Sequence, residues 1–321
     1  MHDFFDTASI KDSYDLVIIG GGPAGCTAAL YASRDELSSL VLEKNGPGGQ
    51  IGITAYVDNH PAFPETISGM ELSEKYYLHA TKFGADFRNG ECVDFRANGL
   101  EKEIYIADRA KPVIAKTVII ATGSSPKKLD IPGESKYFGH GVSVCATCDG
   151  NFYKGKIVAA VGGGNAALEE SDYLTRFADK VYLIHRRDEF RGTKLAQKLV
   201  KQNRKIEPVL NSVVVSINGA GSVSSVDVRN LLTAENKRID VDGVFVFIGQ
   251  KPEVSPFDNL ISVDSEGFLI ADESTVTNIP GVFAAGDVRA KEIRQIVTAI
   301  SDGAVAAKMA GRYIQKYSTE G

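Results

Sequence analysis

Short apolar runs rich in valine and isoleucine recur along the chain, and several of them close on glycine. Leu16-Val-Ile-Ile19 leads into Gly20-Gly-Gly22, and Ile157-Val-Ala-Ala-Val161 leads into Gly162-Gly-Gly164. A continuous apolar run bounded by turn residues predicts a strand covered on both faces, as in a parallel sheet. Behind each glycine cluster the pattern changes to helical, over 26–34 and 167–177, and then returns to strand at 39–42 and 180–184. Strand, glycine turn, helix and strand thus occur twice. Runs at 117–123 and 243–249 each predict a further buried strand entering a turn. Near the end, Val282-Phe-Ala-Ala predicts a short strand that stops at Gly286-Asp287, and an Ala-rich helix is predicted over 299–313.

The repetition predicts an α/β fold with one dinucleotide domain inserted into another. The outer domain is expected over 1–124 and again over 247–321, with the inserted domain over 125–246. The changes of domain fall in stretches rich in proline, glycine and lysine, as linkers do. Those linkers would be hinges if the inserted domain has to move.

Composition narrows this picture. A length of 321 residues suits about two domains by the rough prior of 150 residues each. Hydrophobic residues at 43% and charged residues at 24% are ordinary for a globular chain, and four cysteines are too few for a disulfide scaffold. The net charge of -5 gives no basic excess for nucleic acid. The start, with Asp3, Asp6 and Asp12, has no signal-peptide pattern, and no apolar run approaches the ~18 residues of a membrane span. A cytoplasmic protein with no membrane or nucleic-acid partner is expected. Glycine stands out at 32 of 321 residues, about 10% against a usual share of roughly 7%.

The glycines cluster where a phosphate would be held. Gly20-x-Gly22-x-x-Gly25, with Pro23 and Ala24 inside it, follows a strand and opens a helix. The first glycine makes the tight turn, the second lets backbone amides approach a pyrophosphate, and the third lets helix pack on strand. The helix N-terminus adds partial positive charge. Glu43 ends the next strand, where an acid accepts hydrogen bonds from a ribose. Gly162-x-Gly164-x-x-Ala167 is the second fingerprint, enclosing Gly163, Asn165 and Ala166. At the interval where the first unit has Glu43, the second has His185, Arg186 and Arg187, with Arg191 close behind. Arginine forks bind a 2′-phosphate that an acid would repel. The second site is expected to take NADPH, and the first a dinucleotide with unmodified ribose.

Cys145-Ala-Thr-Cys148 reads as a zinc half-site or a redox dithiol. Structural zinc needs four ligands, and Cys26, Cys92 and the histidines form no spaced partner pair, His140 being the one candidate for a mixed site. A redox disulfide fits better, since exchange needs only two thiols and a proton donor or acceptor, for which Asp149 is adjacent. NADPH carries a hydride and a disulfide takes two electrons, so a mediator is needed between them. A flavin does this, which makes the first dinucleotide FAD.

Together these motifs resemble the low-molecular-weight thioredoxin reductases of the bacterial, fungal and plant type, a class II pyridine nucleotide-disulfide oxidoreductase family. The resemblance runs from about Tyr14 to Tyr313 and rests on the two fingerprints, Gly48-Gly-Gln-Ile51, Ala121-Thr-Gly123, Cys145-Ala-Thr-Cys-Asp149, His185-Arg-Arg-Asp188 and Gly281-Val-Phe-Ala-Ala-Gly-Asp287 with Arg294-Gln-Ile296. It implies two nested Rossmann-like domains of three-layer ββα form, the FAD domain being discontinuous. FAD would contact the Gly20 to Gly25 loop, Glu43, Lys44, Gly49, Gln50, Asn59, Ala121, Thr122, Gly123, Gly286, Asp287, Arg294, Gln295 and Ile296. NADPH would contact Gly163, Gly164, Asn165, Ala166, His185, Arg186, Arg187 and Arg191. The resemblance further implies catalysis by Cys145, Cys148 and Asp149, with Cys148 facing the flavin and Cys145 attacking thioredoxin. It also implies a homodimer. Ala166 departs from the pattern, because many relatives carry a hydroxyl there.

Overall fold

In the first apolar run, alternate residues face opposite layers: Leu16 and Ile18 pack toward helices, Val17 and Ile19 toward the other face of the sheet. That two-sided burial is why the run has no polar alternation. The computed structural model describes residues 10–54, 56–257 and 259–318. Asp3 and Asp6, which bear on the reading of the N-terminus, lie outside the described residues.

The elements follow in chain order. First come β1 (Ser13–Ile19), α1 (Pro23–Arg34), β2 (Ser39–Glu43), α2 (Gly69–Thr81), β3 (Asp86–Asn89), β4 (Cys92–Asn98), β5 (Glu101–Ile106) and β6 (Val113–Ile120). A crossing strand β7 (Ser124–Pro126) leads to α3 (Glu134–Tyr137), β8 (Val142–Ser143), α4 (Ala146–Asp149), β9 (Ile157–Gly162), α5 (Asn165–Leu174), β10 (Lys180–Ile184), α6 (Lys194–Gln202) and β11 (Ile206–Val209). Then follow β12 (Ser212–Gly219), β13 (Val223–Asn230), β14 (Asn236–Asp240), β15 (Gly243–Phe247), the returning strand β16 (Gln250–Pro252), β17 (Val282–Ala284) and α7 (Ile296–Ser318).

Contacts divide the chain into an outer unit in two pieces and an inner unit, with passages at Ser125/Pro126 and Gln250/Lys251. The two crossing strands β7 and β16 pair with each other. In the outer unit the strand order is β3-β2-β1-β6-β5-β4. Strands β1, β2, β3 and β6 run parallel, β1 pairing with β6 over 114–120, and β17 joins β6 at 118–120. Strand β5 runs antiparallel to the first half of β6 and β4 antiparallel to β5, with Phe95 and Ile104 packed against Val17 and Ile19 on the face away from the helices. The helices α1, α2 and α7 cover one face of this sheet.

The inner unit repeats the plan. A parallel sheet of order β11-β10-β9-β15-β8 carries α5 and α6 on one face. The antiparallel β12-β13-β14 sheet covers the other, with Val214, Ile217, Val226 and Val228 facing Ala159 and Val161. Each unit thus has helices on one face of its sheet and antiparallel strands toward the other, the three-layer ββα form that the resemblance implies.

The helices depart from expectation at their ends. α1 begins at Pro23 rather than 26, because Gly22 is the N-cap and proline suits the first helical turn. α5 ends at Leu174, where Thr175 Oγ1 donates to the Asp172 carbonyl at 2.7 Å and the chain turns. α7 crosses α1 so closely that a Cβ on Gly303 would run into the Ala24 carbonyl. Gly303→Val forces these helices apart, and we expect Tm to fall by roughly 5 °C or more in a thermal melt.

Candidate active site

The outer glycine loop is built from two close approaches. Gly20 has φ +109°, and a side chain there would strike the Ala121 carbonyl at the end of β6. A Cβ on Gly25 would strike the Gly20 carbonyl, so only glycine lets α1 sit on its own turn. Gly22 by contrast has nothing within 4 Å of its Cβ position, and α1 has no side-chain cap. Free amides thus open onto space at the start of a long helix, which is what a pyrophosphate requires.

Glu43 is buried and also ties this loop together. Its Oε2 accepts from the Gly21 amide at 2.7 Å and its Oε1 from the Asn45 amide at 2.8 Å. Each oxygen keeps a lone pair for a ribose. The Gly48 amide donates to the Gly21 carbonyl at 2.8 Å, bringing the turn with Gly49 and Gln50 beside the loop. Asn59 donates to Gln295 Oε1 at 3.1 Å, joining two predicted contacts that are far apart in sequence. Thr122 Oγ1 donates to the Glu253 carbonyl at 2.5 Å, and Gly123 is open. Lys44 is exposed, with its amine 3.5 Å from Glu91.

The C-terminal motif has the clearest unmet demand. Asp287 Oδ1 and Arg294 Nε are buried without a hydrogen-bond partner, and burial pushes the Asp287 carboxyl up. Sequence reading missed Asp302, which organises this corner. It accepts from the Gly286 amide at 2.9 Å, from Arg289 at 2.7 Å and from Lys291 at 3.0 Å. A lone acid in an Ala-rich helix is the signal that marks it. Ile296 opens α7 beside the apolar cluster of Ile51, Val57 and Leu72. The unmet oxygen, the unmet guanidinium nitrogen and the open glycines fit a flavin dinucleotide.

In the inner unit the His185 ring occupies the place where a Cβ on Gly163 would go, so imidazole lies on the glycine loop. The chain bearing the arginines is stitched to that loop. The Arg191 amide donates to the Gly163 carbonyl at 2.7 Å, and the Thr193 amide to Asn165 Oδ1 at 2.7 Å. Arg186, Arg187 and Arg191 are exposed, and no carboxylate among the described residues is paired with them. Burial lowers the His185 pKa against a hydrogen bond to the Glu189 backbone that raises it, and the three arginines lower it further, which favours the neutral ring at pH 7; its Nε2 is buried without a partner. Gly164 is open and α5 has no side-chain cap. Ala166 is exposed in its first turn. These features fit a phosphorylated nicotinamide dinucleotide.

Cys145 and Cys148 form a disulfide, both half-buried, with Cys145 as N-cap of α4. The Cys148 amide lies 3.2 Å from Cys145 Sγ. Ser143, on β8, was also missed by sequence reading. Its hydroxyl donates to Asp149 Oδ2 at 2.5 Å and accepts from the Cys145 amide at 3.1 Å. Burial raises the Asp149 pKa and the Ser143 hydrogen bond pulls it back. Asp149 therefore keeps its proton to higher pH than an ordinary carboxyl, as a proton donor beside a disulfide must. His140 Nδ1 lies 3.3 Å from the Phe138 carbonyl, and no group of acids, cysteines and histidines among the described residues suits a metal ion. Cys26 and Cys92 are buried free thiols.

The chain is similar to known proteins over nearly its whole length. Residues 14–303 match the pyridine nucleotide-disulphide oxidoreductase family. A thioredoxin reductase of Bacillus subtilis is 44% identical over 304 residues, 94% of this chain and 95% of that one. A thioredoxin reductase of Listeria monocytogenes is 43% identical over 310 residues, 96% of each chain. The crystal structure of thioredoxin reductase from Streptococcus pyogenes superposes with a TM-score of 0.91 at 42% identity, covering 96% of this chain and 100% of that one.

Proposed function

Since the chain belongs to the pyridine nucleotide-disulphide oxidoreductase family, we propose that it is a thioredoxin-disulfide reductase drawing electrons from NADPH. The net reaction is NADPH, a proton and oxidised thioredoxin giving NADP⁺ and reduced thioredoxin. The observation that carries this reading is the Cys145–Cys148 disulfide beside the half-buried Asp149 carboxyl, on the same unit as an arginine-flanked glycine loop.

Bound FAD supplies the exchange between a two-electron hydride donor and a disulfide. The outer unit would hold it through the Gly20 to Gly25 loop, Glu43, the turn at Gly49 and Gln50, Asn59, the segment from Ala121 to Gly123, and Gly286 with Asp287. Arg294, Gln295 and Ile296 complete this set, and Lys44 lies at its exposed rim. The inner unit would hold NADPH through Gly163, Gly164, Asn165 and Ala166, with Arg186, Arg187 and Arg191 on the 2′-phosphate and neutral His185 packed beneath.

The protein's own part is thiol chemistry. When the disulfide opens, Asp149 gives its proton to the sulfur that leaves, and Ser143 holds its carboxyl in place. Cys145 then returns its proton to the Asp149 carboxylate, attacks one sulfur of the thioredoxin disulfide as the thiolate and expels the other as a thiolate, which takes up a proton. Cys148 attacks Cys145 in turn, which releases thioredoxin as a dithiol and restores the Cys145–Cys148 bond. Thioredoxin is thus the protein substrate, and we assign a homodimer in the cytoplasm. Among the described residues no helix is long and apolar enough to cross a membrane.

The direct test is anaerobic mixing with NADPH and then with oxidised thioredoxin. The flavin colour should bleach and then return. Bleaching that thioredoxin does not reverse would refute the assignment. The proton step has a pH signature. Asp149 acts protonated, so the rate of disulfide opening falls as pH rises through its raised pKa. In Asp149→Asn we expect stopped-flow rates about 10²-fold lower and no longer dependent on pH in that range.

A further inference from the structure

Glu170 lies on α5, yet its carboxylate reaches the start of the redox helix. Its Oε2 accepts from the Ala146 amide at 3.0 Å, and the carboxylate also accepts from the Thr147 amide. These are the first amides of α4, the helix that Cys145 caps. Free amides at that end would stabilise a thiolate on Cys145. Two of them are already taken, and by a group that brings negative charge within one residue of the sulfur. Of the α4 amides only that of Cys148 is directed at Cys145 Sγ, and the Thr147 hydroxyl lies 3.4 Å from the same sulfur.

We propose that Glu170 is a positioning residue for the dithiol: by holding the Ala146 and Thr147 amides it denies them to Cys145 and keeps the reduced sulfur a thiol at neutral pH. This rests on the reading of Cys145 as the attacking sulfur. The other ionisable groups around this end are Asp149, held by Ser143, Tyr153 behind α4, and Glu169 next to Glu170. None of these is a cation, so no positive charge from them offsets Glu170. Burial, with Glu169 beside it, raises the Glu170 pKa on balance, and its two amide hydrogen bonds pull it back toward the ionised form. The gain for the enzyme is selectivity, because thiolates are the form lost to adventitious oxidants.

The test uses the holoenzyme reduced with dithiothreitol, freed of reductant anaerobically, and alkylated with iodoacetamide across the neutral to alkaline range. Modification at Cys145 is read by mass spectrometry. In Glu170→Gln the midpoint of the pH profile should move down by about one unit, giving about tenfold more thiolate at a fixed pH below it. Glu170→Ala frees the amides as well and should move it at least as far. Glu169→Gln should leave the midpoint in place. An unchanged or raised midpoint in the Glu170 variants, or an equal shift in Glu169→Gln, would overturn the proposal. Because a chemical reductant replaces NADPH, the profile is read independently of thioredoxin turnover, whose absence in the wild type would refute the proposed function instead.

Discussion

Serine at either Cys145 or Cys148 should stop thioredoxin-dependent NADPH oxidation, with a loss of at least about 10³-fold in kcat/KM. The two sulfurs act as one unit. Without Cys145 no mixed disulfide with thioredoxin forms, and without Cys148 it is not resolved. The double variant should therefore be no worse than either single one, the non-additivity expected of groups in one relay. Electron entry is separable from this. Reduction of a small artificial acceptor by NADPH draws on the two dinucleotide sites and not on the dithiol, so it should survive in both variants within about twofold. Steady-state assays with each acceptor side by side make the measurement. Thioredoxin turnover retained by either variant would exclude the relay. Loss of both activities would show that the substitution damaged the fold.

The second large effect concerns the choice of nicotinamide cofactor. Arg186 and Arg187 are exposed and belong to a segment pinned to the glycine loop at Gly163. A charge-assisted hydrogen bond to phosphate contributes about 1.5–3 kcal/mol, less where water screens it. Arg186→Ala/Arg187→Ala should therefore lower kcat/KM for NADPH by about 10²-fold. NADH has no 2′-phosphate, so its kcat/KM should change little. His185 is neutral and contributes contact with the loop rather than charge. An equal loss for both nucleotides would show that the arginines support the loop instead of reading the phosphate.

The parts of the fold readable from sequence are those with a simple physical pattern. Strand β10 carries the apolar run 181–184 to its end at Ile184, with Val181, Leu183 and Ile184 buried. The glycine loops were readable because steric demand leaves few alternatives at Gly20 and Gly25. Less readable were β4, β5 and the β12–β14 sheet, where residues such as Arg96, Lys102 and Arg238 break up the apolar pattern. In the site, Cys145, Cys148 and Asp149 carry a local motif. Ser143, Glu170 and Asp302 do not: each matters through hydrogen bonds made by the folded chain that no spacing encodes. Sequence gives the groups that react more readily than the groups that hold them.

The two remaining cysteines bear on how electrons can be counted. Cys26 and Cys92 are buried, and burial pushes both thiols up, Cys92 to about 12. At neutral pH neither offers a thiolate to a reagent. The folded oxidised protein is then silent to thiol dyes, and each accessible pair of thiols that appears records one electron pair parked on the protein. A colorimetric thiol count on the native enzyme therefore works as a charge meter, while the same count after unfolding gives only the composition.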